Sequence, residues 1–352
     1  MTKRWKRRPD GSTWGEWGDD DELGRINLLT PQKVLEGVRE VEAGVSFCLS
    51  LPLDFPGGTA LNQRRYPPVL SPTEDMEGNP ATFYNVHQSE MGRWGNPKYV
   101  DVWADDNVTL ALQYSTQWDS LAHAGAEFDA DADGTEEAVY YNGYRAGVDL
   151  VGPRPDARGD GSSHLCFAHH LGMEHMAFHG VQGRGVLVDL AHHLGDDWQG
   201  VDRATLERIM AADDVVVEPG DMLLLHTGFA TKVLEWDRHP DPVKIQSMCP
   251  YLDARDPSLL EWITDSQLSA LIADNYAVEG LVGRDRDESR HSLLPIHHLC
   301  LFRLGVPLGE LWYLDELASW LRAHRRSRFL LTAPPLRLPG AISSPATPIA
   351  TV

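Results

Sequence analysis

The sequence predicts an α/β (α+β) protein with one mixed, core-forming sheet and helices between its strands. Three observations carry that expectation. Short apolar runs of strand length recur along the chain, capped segments of helix length separate them, and the composition, 42% hydrophobic and 24% charged, is that of a soluble globular protein. The 352 residues are enough to bury a large core.

In chain order, the basic stretch "KRWKRR" from Lys3 opens residues 1–20, which are expected to form a mobile tail. "LLTPQKVLEGVREVEAG" predicts a helix. Thr30 caps it, Pro31 suits its first turn, Val34, Leu35, Val38 and Val41 form one apolar stripe, and Gly44 ends it. Residues 54–100 are rich in Pro, Gly and Asn and read as long loops, a length that is often functional. From Val108 apolar residues alternate, predicting a strand that runs on towards Asp119. Buried strands are expected at 184–191, 221–229, 268–275 and 328–338, with helices at 203–212, 257–264 and 295–305. Residues 21–340 are expected to form a single domain. Residues 341–352 read as a C-terminal extension, laid along a surface or disordered.

Charge and cysteine usage exclude several function classes. Thirty-one Lys and Arg against 52 Asp and Glu give −21, a surface that repels phosphate backbones, so no nucleic-acid partner is expected. No run of about 18 apolar residues predicts a transmembrane helix, and no apolar signal core follows the basic start. Cys48, Cys166, Cys249 and Cys300 lack CxxC spacing, which predicts reduced thiols and a cytoplasmic protein rather than a zinc ribbon or disulfide scaffold.

The densest polar stretch is "QYSTQWDSLAH", Gln113 to His123. If the strand from Val108 continues through it, even positions (Leu110, Leu112, Tyr114, Thr116, Trp118) are mostly apolar and odd ones (Gln113, Ser115, Gln117, Asp119) are polar. Asp119 can hold a metal, and His123 can move protons near neutral pH. The same pattern also suits a strand-end hydrogen-bond network with no catalytic role. Trp118 either borders a substrate or, by its even position, packs in the core. His175 and His179 stand at helical spacing as a possible metal pair. His192 and His193 follow a buried strand. His298 lies in a segment that returns towards Glu310.

These residues resemble the cyclase family, which includes bacterial kynurenine formamidase and isatin hydrolase. Its signature is HxGTHxDxPxH, and a subgroup reads closer to HxxTHWDxLAH. This chain matches at Thr116, Trp118, Asp119, Leu121, Ala122 and His123. "EWGDDDELGRINLLTPQKVLEG", "YNGY", "GRGVLVDLA" and "GDMLLLHTGF" resemble further family blocks, as does the closing stretch from "LDELASWLRAH" onwards. The spacing of His298 and Glu310 is similar to that of downstream ligands.

The resemblance implies a swivelling β/β/α-type fold with a barrel-like mixed core and flanking helices. It also implies a homo-oligomer and hydrolysis of small cyclic or acyl amides, lactams or esters with zinc or manganese. Carried over, Asp119, His298 and Glu310 would be metal ligands and His123 the general acid/base. The two signature histidines, however, fall on Gln113 and Gln117, and a neutral amide oxygen is a weaker ligand than imidazole. Three outcomes are open: an ion held by Asp119, His298 and Glu310 with an amide oxygen or water; substitution by His192 or His226; or a metal-free site in which Gln113 and Gln117 orient the substrate. The functions that follow are a metal-dependent amide or ester hydrolase, a metal-independent cyclase, dehydratase or isomerase, and a non-catalytic small-ligand binder.

Overall fold

The computed structural model describes residues 3–280 and 291–352. Its centre is a nine-stranded mixed sheet that curls into a half-barrel. The strands are β1 (Ser46–Cys48), β2 (Gln117–Asp119), β3 (Gln182–Asp189), β4 (Met222–His226), β5 (Ala270–Ala273), β6 (Leu308–Glu310), β7 (Arg328–Thr332), β8 (Ser343–Pro345) and β9 (Ile349–Thr351), in the order β1-β9-β7-β3-β4-β5-β6-β2-β8. The run β3-β4-β5-β6 is parallel and its flanks are antiparallel. Parallel strands are covered on both faces, which is why "VLV", "MLLL" and "ALIA" are continuous apolar runs rather than alternating ones.

The strands expected at 184–191, 221–229, 268–275 and 328–338 form at Gln182–Asp189, Met222–His226, Ala270–Ala273 and Arg328–Thr332, and the helices Arg203–Ala212 and Pro257–Asp265 form in place, capped by Asp202 and Asp256. Four expectations are corrected. The helix over Pro31–Arg39 is capped by Thr30, but it ends before Gly44 and does not bury its apolar stripe. Leu35 and Val38 are about half exposed, while Lys33 and Gly37 are buried. Gly37 lies directly on β3, where a Cβ would meet the Gly183 carbonyl carbon at 2.7 Å, and the Lys33 ammonium reaches the buried Asp221 carboxylate at 3.2 Å. Close backbone approach and a buried ion pair thus override the hydrophobic pattern.

The strand expected from Val108 to Asp119 is broken. Asp106–Thr109 pairs with Val69–Pro72 in an exposed ribbon, a turn follows, and only Gln117–Asp119 joins the sheet. With a second ribbon, Val86–His87 against Val102–Trp103, that ribbon forms an arm, and the segment 54–100 expected as long loops is mostly loop, with strand at Val69–Pro72 and Val86–His87.

Both termini belong to the fold. Trp5 and Trp14 are buried in the core, and the Trp14 indole donates to the Phe302 carbonyl at 2.8 Å. Residues expected as a C-terminal extension supply β8, which pairs with β2, and β9, which lies between β1 and β7. In "PGAISSPATPIATV" the prolines interrupt strand periodicity, so the pairing comes from tertiary contacts that no local pattern announces. No described helix is long and apolar enough to cross a membrane.

Candidate active site

β2 positions the site. Opposed to Glu310 and Pro345 at Gln117, and to Leu308 and Ser343 at Asp119, it turns both polar side chains to one face and Trp118 to the other. Trp118 therefore sits in the core layer. Its ring meets Trp312 edge-on at 5.1 Å, and its indole N–H donates to the Ala333 carbonyl at 2.8 Å. It is fully buried, which favours the core over the substrate of the two roles its position left open. Opposite it stands Gly309, where a Cβ would press on Ile272 and on the Trp312 indole at 2.9 Å.

The chain turns immediately after Asp119. The Ser120 hydroxyl donates to the Ile342 carbonyl at 2.9 Å and accepts from the Ala122 N–H, and the His123 N–H reaches the Ser120 carbonyl. This brings the partly exposed His123 ring back, with Nε2 3.9 Å from Asp119 Oδ2. Gln113 binds both groups: its amide nitrogen donates to Asp119 Oδ1 and meets His123 Nδ1 at 3.1 Å. Because that nitrogen is a donor, Nδ1 accepts and the ring's own proton lies on Nε2. Arg65 in turn donates to the Gln113 carbonyl at 2.7 Å.

Glu310 is buried directly across from Gln117 and accepts from its amide nitrogen at 3.2 Å. Its other oxygen faces His297 Nε2 at 3.2 Å, and His297 Nδ1 meets Glu279 at 2.9 Å. Burial alone would lower the His297 pKa, but its hydrogen bonds to Glu279 and Glu310 outweigh that and push it up to about 10. His297 is thus an imidazolium clamped between two carboxylates.

The structure brings Gln113, Gln117, Asp119, His123 and Glu310 together, sets His297 against Glu310, and leaves His298 on the wall of the adjoining cavity. The His298 ring is tilted against Phe302 with centroids 5.0 Å apart, and burial, then Arg303, lowers its pKa. His298 was expected from its spacing to Glu310, and the residue that meets that carboxylate is His297, the last of the α-helical turn before the π-helix His298–Leu304. The signal for His297 lay in its i+4 and i+7 partners, Leu301 and Leu304, which are buried with it. Glu279, in "AVEG", had no such signal.

Other histidines are engaged elsewhere. His170 and His175 both meet Glu22 (2.9 and 3.0 Å), His179 is exposed and lies against the Gly180 carbonyl, His193 meets Asp213 at 2.8 Å, and His226 meets Asp189 at 2.8 Å. The pair His175 and His179 therefore forms no joint site.

His123, His297 and His298 line a cavity of about 720 Å³, with Ala124 to Glu127, Glu136 and residues 291–294 around it. Metal-ligating atoms of Asp119, His123 and His297 lie within 4.8 Å of one another. Since both His297 nitrogens face carboxylates and His123 Nδ1 faces the Gln113 amide nitrogen, an ion would be held by two buried oxygens that have no hydrogen-bond partner among the described residues, Asp119 Oδ2 and Gln117 Oε1, and by His123 Nε2 once its proton is displaced. This O,O,N set fits a divalent cation. A second acidic group, Asp129, Asp131 and Glu137, is bridged by the Arg145 guanidinium at 3.0 and 2.8 Å.

The sequence matches the profile of a family described as "Putative cyclase" over residues 48–280. A crystal structure described as a novel cyclase is 30% identical, with 97% of each chain covered and a TM-score of 0.72. Isatin hydrolase A from Ralstonia solanacearum (13% identity, 87% of this chain and 91% of that one, TM-score 0.52) and from Labrenzia aggregata (12%, 91% and 98%, 0.51) share the fold. No curated protein matches the sequence.

Proposed function

The chain belongs to the cyclase family, and we propose that it hydrolyses an amide or ester bond in a small cyclic or acyl substrate such as a lactam, lactone or formamide. The observation that carries this reading is the pair of buried acceptors without donors, Asp119 Oδ2 and Gln117 Oε1, two residues apart on one face of β2. Together they can accept both protons of a water molecule and leave its lone pair for a substrate carbonyl. The cavity beside them is of small-molecule size. The family's isatin hydrolases support a hydrolytic reaction on a small substrate.

Asp119 Oδ2 takes a proton from the attacking water as its oxygen bonds to the carbonyl carbon. The His123 Nε2–H donates a hydrogen bond to the carbonyl oxygen as charge builds there, a neutral imidazole acting as electrophile. The C–N or C–O bond then breaks, and the leaving atom takes a proton from Asp119, which returns to a carboxylate. Asp119 thus moves the proton while His123 stabilises the developing charge, and Gln113 keeps the imidazole in the tautomer it needs. A divalent ion would be held by Asp119, Gln117 and His123; it would supply Lewis acidity at the carbonyl and a more acidic bound water. The hard donor set favours manganese over zinc.

We also take the protein to be a homo-oligomer: Tyr66, Leu70, Trp94, Val100 and Trp103 on the arm are each more than half exposed. Its four free cysteines suit the cytoplasm. The test is turnover on a panel of lactams, lactones and formamides. Asp119→Asn and His123→Ala should each lower kcat by about 10²–10⁴-fold in folded protein. Variants that keep turnover within threefold of the parent would overturn the assignment.

A further inference from the structure

We propose that Glu279 is a positioning residue for the hydrolysis, acting through His297 and Glu310 on the amide of Gln117; this rests on the reading of Gln117 as the water's second acceptor. Glu279 is fully buried and its carboxylate collects three donors. Oε2 accepts from the Ile296 N–H at 3.1 Å, and Oε1 accepts from the His297 N–H and from His297 Nδ1–H, both at 2.9 Å. Two of these donors are the free N–H groups at the start of the helical segment that opens at Pro295 and continues as the π-helix. One carboxylate therefore fixes both the start of the helix and the ring that projects from it.

The backbone that carries Glu279 is itself held. Leu252 N–H donates to the Val278 carbonyl at 3.1 Å, and Leu252 and Glu279 form a β-bridge. Ala277 and Val278 adopt positive φ values of 79° and 60°. A β-branched residue in that region is costly and persists where the surroundings impose it.

The consequence reaches the site by a chain of oriented groups. With Nδ1–H on Glu279, His297 presents Nε2–H to Glu310 Oε1. That leaves Glu310 Oε2 as the acceptor for the Gln117 amide nitrogen. An amide whose nitrogen is so engaged must turn its oxygen the other way, and Gln117 Oε1 is the buried acceptor left without a donor. Were the His297 ring free to rotate, Glu310 would lose its fixed donor and the Gln117 amide could invert. It would then present N–H groups where the water needs an acceptor.

Glu279→Gln leaves one acceptor oxygen and removes the negative charge. With that oxygen on the Ile296 N–H, an NH₂ group faces His297 Nδ1 and cannot accept from it; with it on the His297 donors, the Ile296 N–H loses its acceptor and the helix start that carries the ring is released. Expected for this variant are a folded protein, a kcat lowered about 10–100-fold, the usual loss on removing the partner of a site residue, and a KM within threefold of the parent. The ring N–H proton signal of His297, identified in the parent by its loss in His297→Gln, should exchange too fast to be seen. An unchanged kcat, or a persistent ring signal, would overturn the proposal. Should Glu279→Gln fail to fold, His297→Gln carries the test: it must lower kcat by a similar factor at constant KM, and an unchanged kcat would again overturn the proposal. The ring signal is read without substrate. A parent that hydrolyses nothing on the panel would therefore sink the proposed reaction while still reporting whether Glu279 holds His297.

Discussion

Truncating Trp118 to alanine separates core from pocket at the position where the signature motif is least informative. Its indole is fully buried, meets Trp312 edge-on and hydrogen-bonds the Ala333 carbonyl. Removing about 200 Å² of buried surface at about 25 cal/mol/Å² costs roughly 5 kcal/mol, and measured tryptophan truncations in cores fall near 3–5 kcal/mol. An unfolding entropy of about 2.1 cal/mol/K per residue gives roughly 0.7 kcal/mol/K over the chain's 352 residues, so Tm should fall by about 4–7 °C. Thermal unfolding by circular dichroism measures this directly, and steady-state kinetics on the folded fraction should return the parental KM. A Tm within 1 °C of the parent together with a severalfold higher KM would refute the reasoning, because it would place the ring against the substrate.

Two further outcomes follow from the site and the arm. Introducing Gln113→His and Gln117→His together should raise manganese or zinc affinity at least about tenfold, since imidazole nitrogen outcompetes an amide oxygen for these ions; elemental analysis and titration calorimetry read it, and unchanged metal content would remove these positions from the metal question. Placing aspartates at Val100 and Trp103, 92% and 52% exposed on the arm, should shift sedimentation velocity towards monomer, whereas an unaltered oligomer, or a parent that is already monomeric, would assign the exposed apolar residues another role.

Much of the parallel half of the sheet was legible because its strands are buried on both faces and bounded by capped helices. Local pattern and tertiary environment agree at Asp256-Pro257 and at "VLVD". Of the antiparallel half, β7 was legible within the strand expected at 328–338, and the rest was not. β2, β8 and β9 are three residues each, too short for a period, and they exist because they pair with one another's neighbours across the fold. The helix at Pro31 shows the reverse failure. Its pattern was clear but its meaning was not, since a buried lysine pays off only when Asp221, 188 positions away, is there to meet it. At the site, Asp119 and His123 were readable from one stretch of sequence, while His297 stands one residue before the histidine to which the family spacing pointed. Glu279 matters for where its carboxylate lies and for nothing local.

The glutamines change the logic of the site as well as its ligand strength. Two imidazoles at these positions, bound to an ion, would use lone pairs on it, and the ion's charge would hold the surrounding carboxylates together. Here the amide N–H groups of Gln113 and Gln117 donate to Asp119 and Glu310, and His297 supplies the positive charge between Glu279 and Glu310. Each carboxylate therefore has a donor from the chain itself, which answers the desolvation cost that would otherwise forbid burying three of them. What is left over is small and specific: one oxygen of Asp119 and one of Gln117, both buried and without a hydrogen-bond partner among the described residues. A site arranged in this way is preorganised by its own hydrogen bonds. Any ion it takes adds electrophilic power to an acceptor pair that the fold already holds in place.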